Sequence, residues 1–394
     1  MVSIYTTRPN RIYNIACKHV EDILRNDPNP GRQCAIPHFF YEFNNDPDVV
    51  VIDACPSPGP NGVSFLNIPI GVLSSYLISV TKPSTKLCFD NLYEGNLLPM
   101  INVIAAAIQN TPIRNDQIYY FSGALDCSTY TDIPFHLYGG TMWEAATRSR
   151  EIPPTTFSVS PKQKIFLCMN RVLRPHRLML VSLLLAKNMV SNSFYSFFPL
   201  GSHSGNATSH QVDGTLSELS RLLSPDTFAM VNSSYRKHES MFPLTLNIES
   251  SNNKNFLDAN DIYLFQNSYF SLVTETFFFR REMYNTIDEQ TIFFTEKIFK
   301  PILMHHPFMV VSRPGTLHYL RKIGYKTFSP YVDESYDLVE DDQARMMAVV
   351  KEVERLSAFT TEQWLEWQQN VKATVDYNYD TIMNKAHHKY AFSR

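Results

Sequence analysis

The residues Arg171, Arg174, His176 and Arg177 crowd into the run Asn170-Arg171-Val172-Leu173-Arg174-Pro175-His176-Arg177. Guanidinium groups repeating at every third position beside a helix start suit the planar, multi-donor recognition of a diphosphate. A second basic group follows much later, in Thr295-Glu296-Lys297-Ile298-Phe299-Lys300. Thr295 has the side chain of an N-cap, and Glu296 falls in the first turn, where backbone N–H groups have no helical partner. Lys297 and Lys300 are the wrong sign for that end of the helix dipole, and an anion bound at the helix start would reconcile them with it. Taken singly, each group has a plainer reading: solvated lysines on a surface helix, and arginines that cap or pair with neighbouring acids. Taken together they describe a two-sided clamp around a pyrophosphate.

Other constellations are weaker. Asp46-Pro47-Asp48 precedes its strand instead of following it, and the adjacent pair His305-His306 on a predicted helix sends its rings apart, so neither makes a metal site. There is no H-E-x-x-H and no G-x-G-x-x-G, and Gly139-Gly140 reads as a turn. No serine or cysteine has a nucleophile elbow around it. Neither a metal nor a dissociable cofactor is expected.

The elements that must carry these residues follow a strand-helix-strand grammar. Asp48–Asp53 is a β-branched run closed by an acid and then by prolines, as a buried parallel strand is. Lys86–Asp90 reads as the next strand, Asn91–Gly95 as a loop, Leu97–Gln109 as a helix and Gln117–Phe121 as a strand. The proline-rich run Glu151–Pro161 is a linker. Beyond it the grammar restarts: strand Lys164–Met169, the arginine-rich loop, a helix from Pro175 to Lys187, and strand Ser193–Phe198. A loop is expected over 201–211 and a helix over 213–223, and 224–260 has the look of an insertion. Tyr269–Glu275 reads as strand and is followed by a charged interruption over 280–290. Next come the Thr295 helix, a Pro-Phe-Met-Val-Val strand, a helix over 315–323, a short strand Lys326–Phe328, and helices over 341–356 and 360–390. At 394 residues two domains are expected.

Composition is that of a soluble globular chain, 44% hydrophobic and 19% charged. A net charge of -3 argues against diffuse attraction to nucleic acid or anionic lipid. The six cysteines are scattered with no C-x-x-C pair, which suits buried thiols in a reducing compartment. With no signal architecture at the N-terminus and no apolar run long enough to span a bilayer, a cytoplasmic location is expected.

The Glu296-Lys297 helix, the strand after it, and Arg313-Pro314-Gly315-Thr316-Leu317 with Leu320 and Gly324 resemble the nucleotide-sugar half of GT-B type glycosyltransferases. The likeness is to fucosyltransferase-like and exostosin-like enzymes and to related transferases of phages and large DNA viruses, and it covers about residues 164–335. It implies an α/β protein of two Rossmann-like domains facing a cleft. An acceptor-side domain would span 1–155, a donor domain 162–360, and helices over 361–394 would cross back to the first domain. It implies metal-independent transfer of a sugar from a nucleotide-diphosphate donor to a hydroxyl on a glycan, a protein, or a hydroxymethylated base of phage DNA. The expected donor contacts are Arg171, Arg174, Arg177, Glu275, Thr295, Glu296, Lys297 and Lys300, with Glu296 on the ribose and the cations on the phosphates. An inverting transfer needs a base from the first domain. Glu94 is the first choice, because it lies just after a buried strand and beside a glycine. Asp90, Asp53 and Asp126 follow it. The alternative in another class is a nucleotide- or sugar-binding module, or a virion-associated protein, that keeps the scaffold without the chemistry.

Overall fold

The computed structural model describes residues 4–6, 49–53, 69–91, 98–123, 134–139, 155–200, 209–244, 246, 261–280 and 292–384. Among them are nine strands and ten α-helices, an α/β architecture built on two largely parallel sheets. The chain divides into a first unit of residues 1–149, 284–295 and 385–394, and a second of 150–283 and 296–384.

In the first unit the sheet runs β1 (Ile4–Thr6), β2 (Val49–Asp53), β3 (Lys86–Asn91), β4 (Ile118–Ser122), β5 (His136–Gly139) in spatial as in chain order. β1 pairs antiparallel with β2, and the other pairs are parallel. Helices α1 (Ile70–Val80) and α2 (Leu98–Ile108) are the crossovers β2-to-β3 and β3-to-β4. Successive right-handed crossovers in one direction put both on one face of the sheet. They pack on each other, and the Ser74 hydroxyl donates to Ala107 O at 2.6 Å. Leu73, Leu77, Met100 and Ile104 meet Ile52, Leu87, Phe89, Ile118 and Tyr120 in one core.

The second sheet is entirely parallel, in the order β7-β6-β8-β9, with β6 Lys164–Val172, β7 Phe194–Leu200, β8 Ser268–Thr274 and β9 Phe308–Val311. Its helices are α3 (Pro175–Ala186), α4 (Ser209–Leu222), α5 (Pro225–His238), α6 (Asp261–Gln266), α7 (Glu296–Leu303), α8 (Thr316–Lys322), α9 (Asp342–Ser357) and α10 (Thr361–Asn384). Every residue of α3 from Pro175 to Leu185 is buried, because α4, α5 and α9 all pack against it. β8 is buried along its whole length, the signature of a strand covered on both faces.

Several sequence expectations need correction. β6 does not stop at Met169; a register shift between Asn170 and Val172 lets it stay paired with β7, so Arg171 is a strand residue and not part of a helix-start array. The region 224–260 contains the regular helix α5, with Pro225 at its first position and the Ser224 hydroxyl accepting from Thr227 N–H. Lys326–Phe328 is no strand. Its backbone is taken by side chains: the Asn378 amide accepts from Lys326 N–H at 2.8 Å and donates to Lys326 O at 2.9 Å, and Glu334 accepts from Phe328 N–H. His305 and His306 lie beyond the end of α7. His305 N–H donates to Ile302 O and His306 N–H to Pro301 O, a Schellman ending with His305 at φ 47° where glycine is usual.

The tail expected to cross back to the first domain belongs, through Asn384, to the second unit. Its apolar stripe explains this. Trp364, Trp367, Val371, Val375 and Ile382 are buried, Trp364 stacks on Tyr269 of β8 at 4.1 Å, and α10 packs on α7.

Candidate functional site

The chain enters the second sheet on β6, places β7 on one side of it and β8 on the other, so the strand order reverses between β6 and β8. Ligands of open α/β sheets bind at the carboxyl ends of the strands at such a switch. The segments that leave those two ends carry the arginine-rich run and the approach to α7.

Arg174 is the N-cap residue of α3, with no side-chain cap and no acid in the helix's first turn. Its side chain is half-buried. His176 and Arg177 follow Pro175 in that turn and are fully enclosed. Arg177, 3% exposed, donates from Nη1 to Val172 O at 3.0 Å and from Nη2 to Thr274 O at 3.2 Å. It therefore ties the end of β6 to the end of β8. Burial, then the charge of Arg174, lowers its guanidinium to about 10, against the pull of Glu275 and Glu296. Two nitrogens of Arg177, which was expected to contact the donor, bond strand-end carbonyls.

His176 has its Nε2 at 3.0 Å from Glu275 O; since a carbonyl only accepts, that nitrogen carries the proton. Burial, and then the charges of Arg177, Arg174 and Lys297, hold the imidazole well below its ordinary range, so it is neutral at pH 7. The charges of Arg174 and Lys297, one from each basic group of the sequence, both act on this ring. Glu275 follows β8 directly; its carboxyl is buried and acts on Arg177.

On the other side, Thr295 precedes α7 and is buried. Glu296 is 6% exposed. Burial pushes its carboxyl up, yet Lys297 and Lys300 outweigh burial and hold it below the usual carboxylate range. Lys297 Nζ donates to Glu296 Oε1 at 3.0 Å. Lys300, 8% exposed, is the more enclosed lysine, and Lys297 is half-buried. Pro301 lies inside the helix and has no backbone N–H to donate to the Lys297 carbonyl.

A cavity of about 40 Å³ lies under α7, lined among others by Met169, Ser271, Thr274, Lys297, Lys300 and Pro301. It has room for water or a small ion, whereas drug-sized ligands need roughly 300 Å³ or more. A larger ligand has to lie across the strand ends. Beside the cavity, the Thr274 hydroxyl donates to the Asn170 side-chain carbonyl, and the Asn170 amide donates to Tyr195 Oη at 3.3 Å. These bonds join β6, β7 and β8 just below the site.

The neighbouring helix start is already occupied. Asp337 accepts from Leu317 N–H and His318 N–H at the start of α8, so this protein supplies its own anion there. Arg313, buried, donates to Phe279 O at 3.3 Å and lies over the Phe277 ring.

In the first unit, register sets Asp53 beside Asp90 at the carboxyl ends of β2 and β3. Glu94 and Asp126 lie outside the described residues, as does the side chain of Arg171. Among the described residues no group of three His, Cys, Asp or Glu side chains is arranged around a metal position, and no helix is long and apolar enough to cross a membrane.

Sequence reasoning passed over two residues of this region. Arg345 reads as an ordinary surface arginine of an amphipathic helix, although its spacing to Val349, Val353 and Leu356 puts it on the buried stripe. Asp337 sits in a short polar run with no periodicity to mark it. No protein-family model and no curated protein sequence matches this chain.

Proposed function

We propose that the chain is a metal-independent glycosyltransferase of the GT-B type, whose second unit holds a nucleotide-diphosphate sugar across the carboxyl ends of β6 and β8. What supports this reading is that the charges of Arg174 and Lys297 both act on His176, next to the reversal of strand order. Lys297 and Arg174 neutralise the leaving diphosphate, which is where stabilising charge contributes most to such a transfer. Glu296, ionised and beside Lys297, accepts the ribose hydroxyls. Lys300 adds positive potential from the next turn. The acceptor is a hydroxyl of a glycan or of a hydroxymethylated DNA base. Glu94 or Asp90 of the first unit removes its proton, with Asp53 and Asp126 the other candidates.

The test is release of nucleoside diphosphate from a panel of nucleotide sugars in the presence of a chelator. Release is expected for one donor, and Lys297→Ala and Arg174→Ala are each expected to lower turnover by roughly a hundredfold, as loss of an oxyanion donor does. Unchanged turnover in both variants would remove the clamp.

A second reading, a module that binds the nucleotide without transferring sugar, is favoured by the presence of Arg174, Glu296, Lys297 and Lys300 in one unit. It predicts a thermal shift with nucleoside diphosphate that Lys297→Ala abolishes, and no turnover with any donor.

A further inference from the structure

Arg345 lies on α9, and none of its contacts reaches Arg174 or Lys297, yet its bonds converge on the loops that frame them. It is 1% exposed. Nε donates to Ser312 O at 3.0 Å, just after β9, and Nη2 to Phe278 O at 2.8 Å, just after β8. Nη1 donates to Val339 O at 2.9 Å and Glu340 O at 3.3 Å, and Nη2 also meets Asp342 Oδ1 at 2.6 Å. All five N–H donors of the guanidinium are thereby used. Burial lowers its pKa, while the bond to Asp342 works to keep it charged.

The contact continues inward. The guanidinium carbon lies 4.4 Å from the centre of the Phe278 ring. That ring stacks on His176, centroids 5.7 Å apart and planes 19° from parallel. His176 in turn donates to Glu275 O. A chain of contacts therefore runs from α9, through the loop after β8, to the first turn of α3. Lysine could not replace Arg345, because its single ammonium has neither the planar face for Phe278 nor donors spread wide enough to span Ser312 O, Phe278 O and Val339 O.

We propose that Arg345 is a positioning residue for the anion site, fixing the loop after β8 and the His176 ring so that Arg174 and Lys297 face one ligand. This rests on the proposed donor site. A residue that merely stabilised the fold would lower the melting temperature and leave the affinity of the folded protein alone. A positioning residue changes the affinity at a temperature where the protein is fully folded.

The experiment uses the full chain with UDP, GDP and ADP as probes, titrated by calorimetry well below the melting transition, alongside the ¹⁵N-coupled imidazole signals of His176. Arg345→Lys is expected to weaken binding of the preferred diphosphate about tenfold, a typical cost for a misplaced charged contact, and to shift or exchange-broaden the His176 Nε2–H signal. Phe278→Leu keeps the carbonyl that Arg345 binds and removes only the ring; it is expected to change the same two readouts in the same direction, and it serves if Arg345→Lys does not fold. Wild-type affinity and an unmoved His176 signal in the folded variants overturn the proposal. If the wild type binds none of the three probes while both variants still disturb His176, the donor-site reading fails and the link from α9 to His176 stands.

Discussion

Replacing Arg177 by alanine deprives two strand-end carbonyls, that of half-buried Val172 and that of buried Thr274, of a charged donor. Hydrogen bonds from charged groups contribute roughly 1.5–3 kcal/mol each, so the expected loss is about 3 kcal/mol or more, seen as a lower urea midpoint. Arg174, one turn earlier and half-buried, makes no such bond to the strand ends, and Arg174→Ala is expected to change stability by no more than about 0.5 kcal/mol while weakening diphosphate binding. An equal loss of stability in both variants would mean that Arg174 is also a brace. The sequence marks both residues with the same three-residue spacing, and it cannot separate them. What separates them is the extra length of β6, which draws the chain at Val172 within reach of Arg177. The acid-and-lysine turn was more legible, because Glu296 and Lys297 are neighbours in the chain and their ion pair needs no distant partner.

At the scale of elements, strands and helices with strong periodicity were readable to within a few residues, from β2 and β3 to α9 and α10. The elements β1, α1 and β5 were not foreseen, and other exceptions are places where a side chain does what a neighbouring element usually does. At Lys326 the Asn378 amide takes the backbone N–H and C=O that a strand partner would take, and a β-prone sequence remains irregular as a result. At His305 the turn takes a left-handed residue without glycine. Stacking of its ring on Tyr379 at 3.6 Å, and a 3.1 Å contact with the Thr155 hydroxyl, help to hold it there. Asn378 is 1% exposed, and its loss removes both side-chain bonds from the Lys326 backbone. Asn378→Ala is therefore expected to cost about 1–3 kcal/mol on the general scale for lost hydrogen bonds, and to speed amide exchange at Lys326 before it affects β8. If exchange at Lys326 were as slow in the variant as in the wild type, some other group would be satisfying that backbone.

For the molecule as a whole, buried histidines decide how stability responds to acid. His306 is held to about 3 by burial, against the opposing bond to Ser268 O, with Lys162 adding a smaller push in the same direction as burial. Its Nε2 lies 3.0 Å from Ser268 O and donates to it, and its Nδ1 lies 2.8 Å from Ser271 Oγ and accepts from that hydroxyl, so the neutral ring is satisfied on both sides. His176 is held well below 6.5 mainly by burial, and His305 is lowered by burial against the pull of Asp376 and Asp380. In each case the folded pKa lies below the unfolded value near 6.5. Between the two values the unfolded chain binds more protons, so stability rises with pH and is lost as pH falls. For His306 alone the loss from pH 7 to pH 5 is about 2 kcal/mol, at 1.36 kcal/mol per pH unit below 6.5, and His176 acts in the same direction. Glu334 and Asp337 work the other way. Burial raises their carboxyls, so the fold gains from their protonation as pH falls through the carboxylate range, which offsets part of the histidine loss there. Urea unfolding at intervals from pH 7 to pH 5 is expected to show the midpoint falling steadily, and His306→Asn is expected to remove about one proton's worth of that slope whatever its effect on stability at pH 7. A variant with the wild-type slope would show that His306 takes its second proton as readily in the fold as in the unfolded chain.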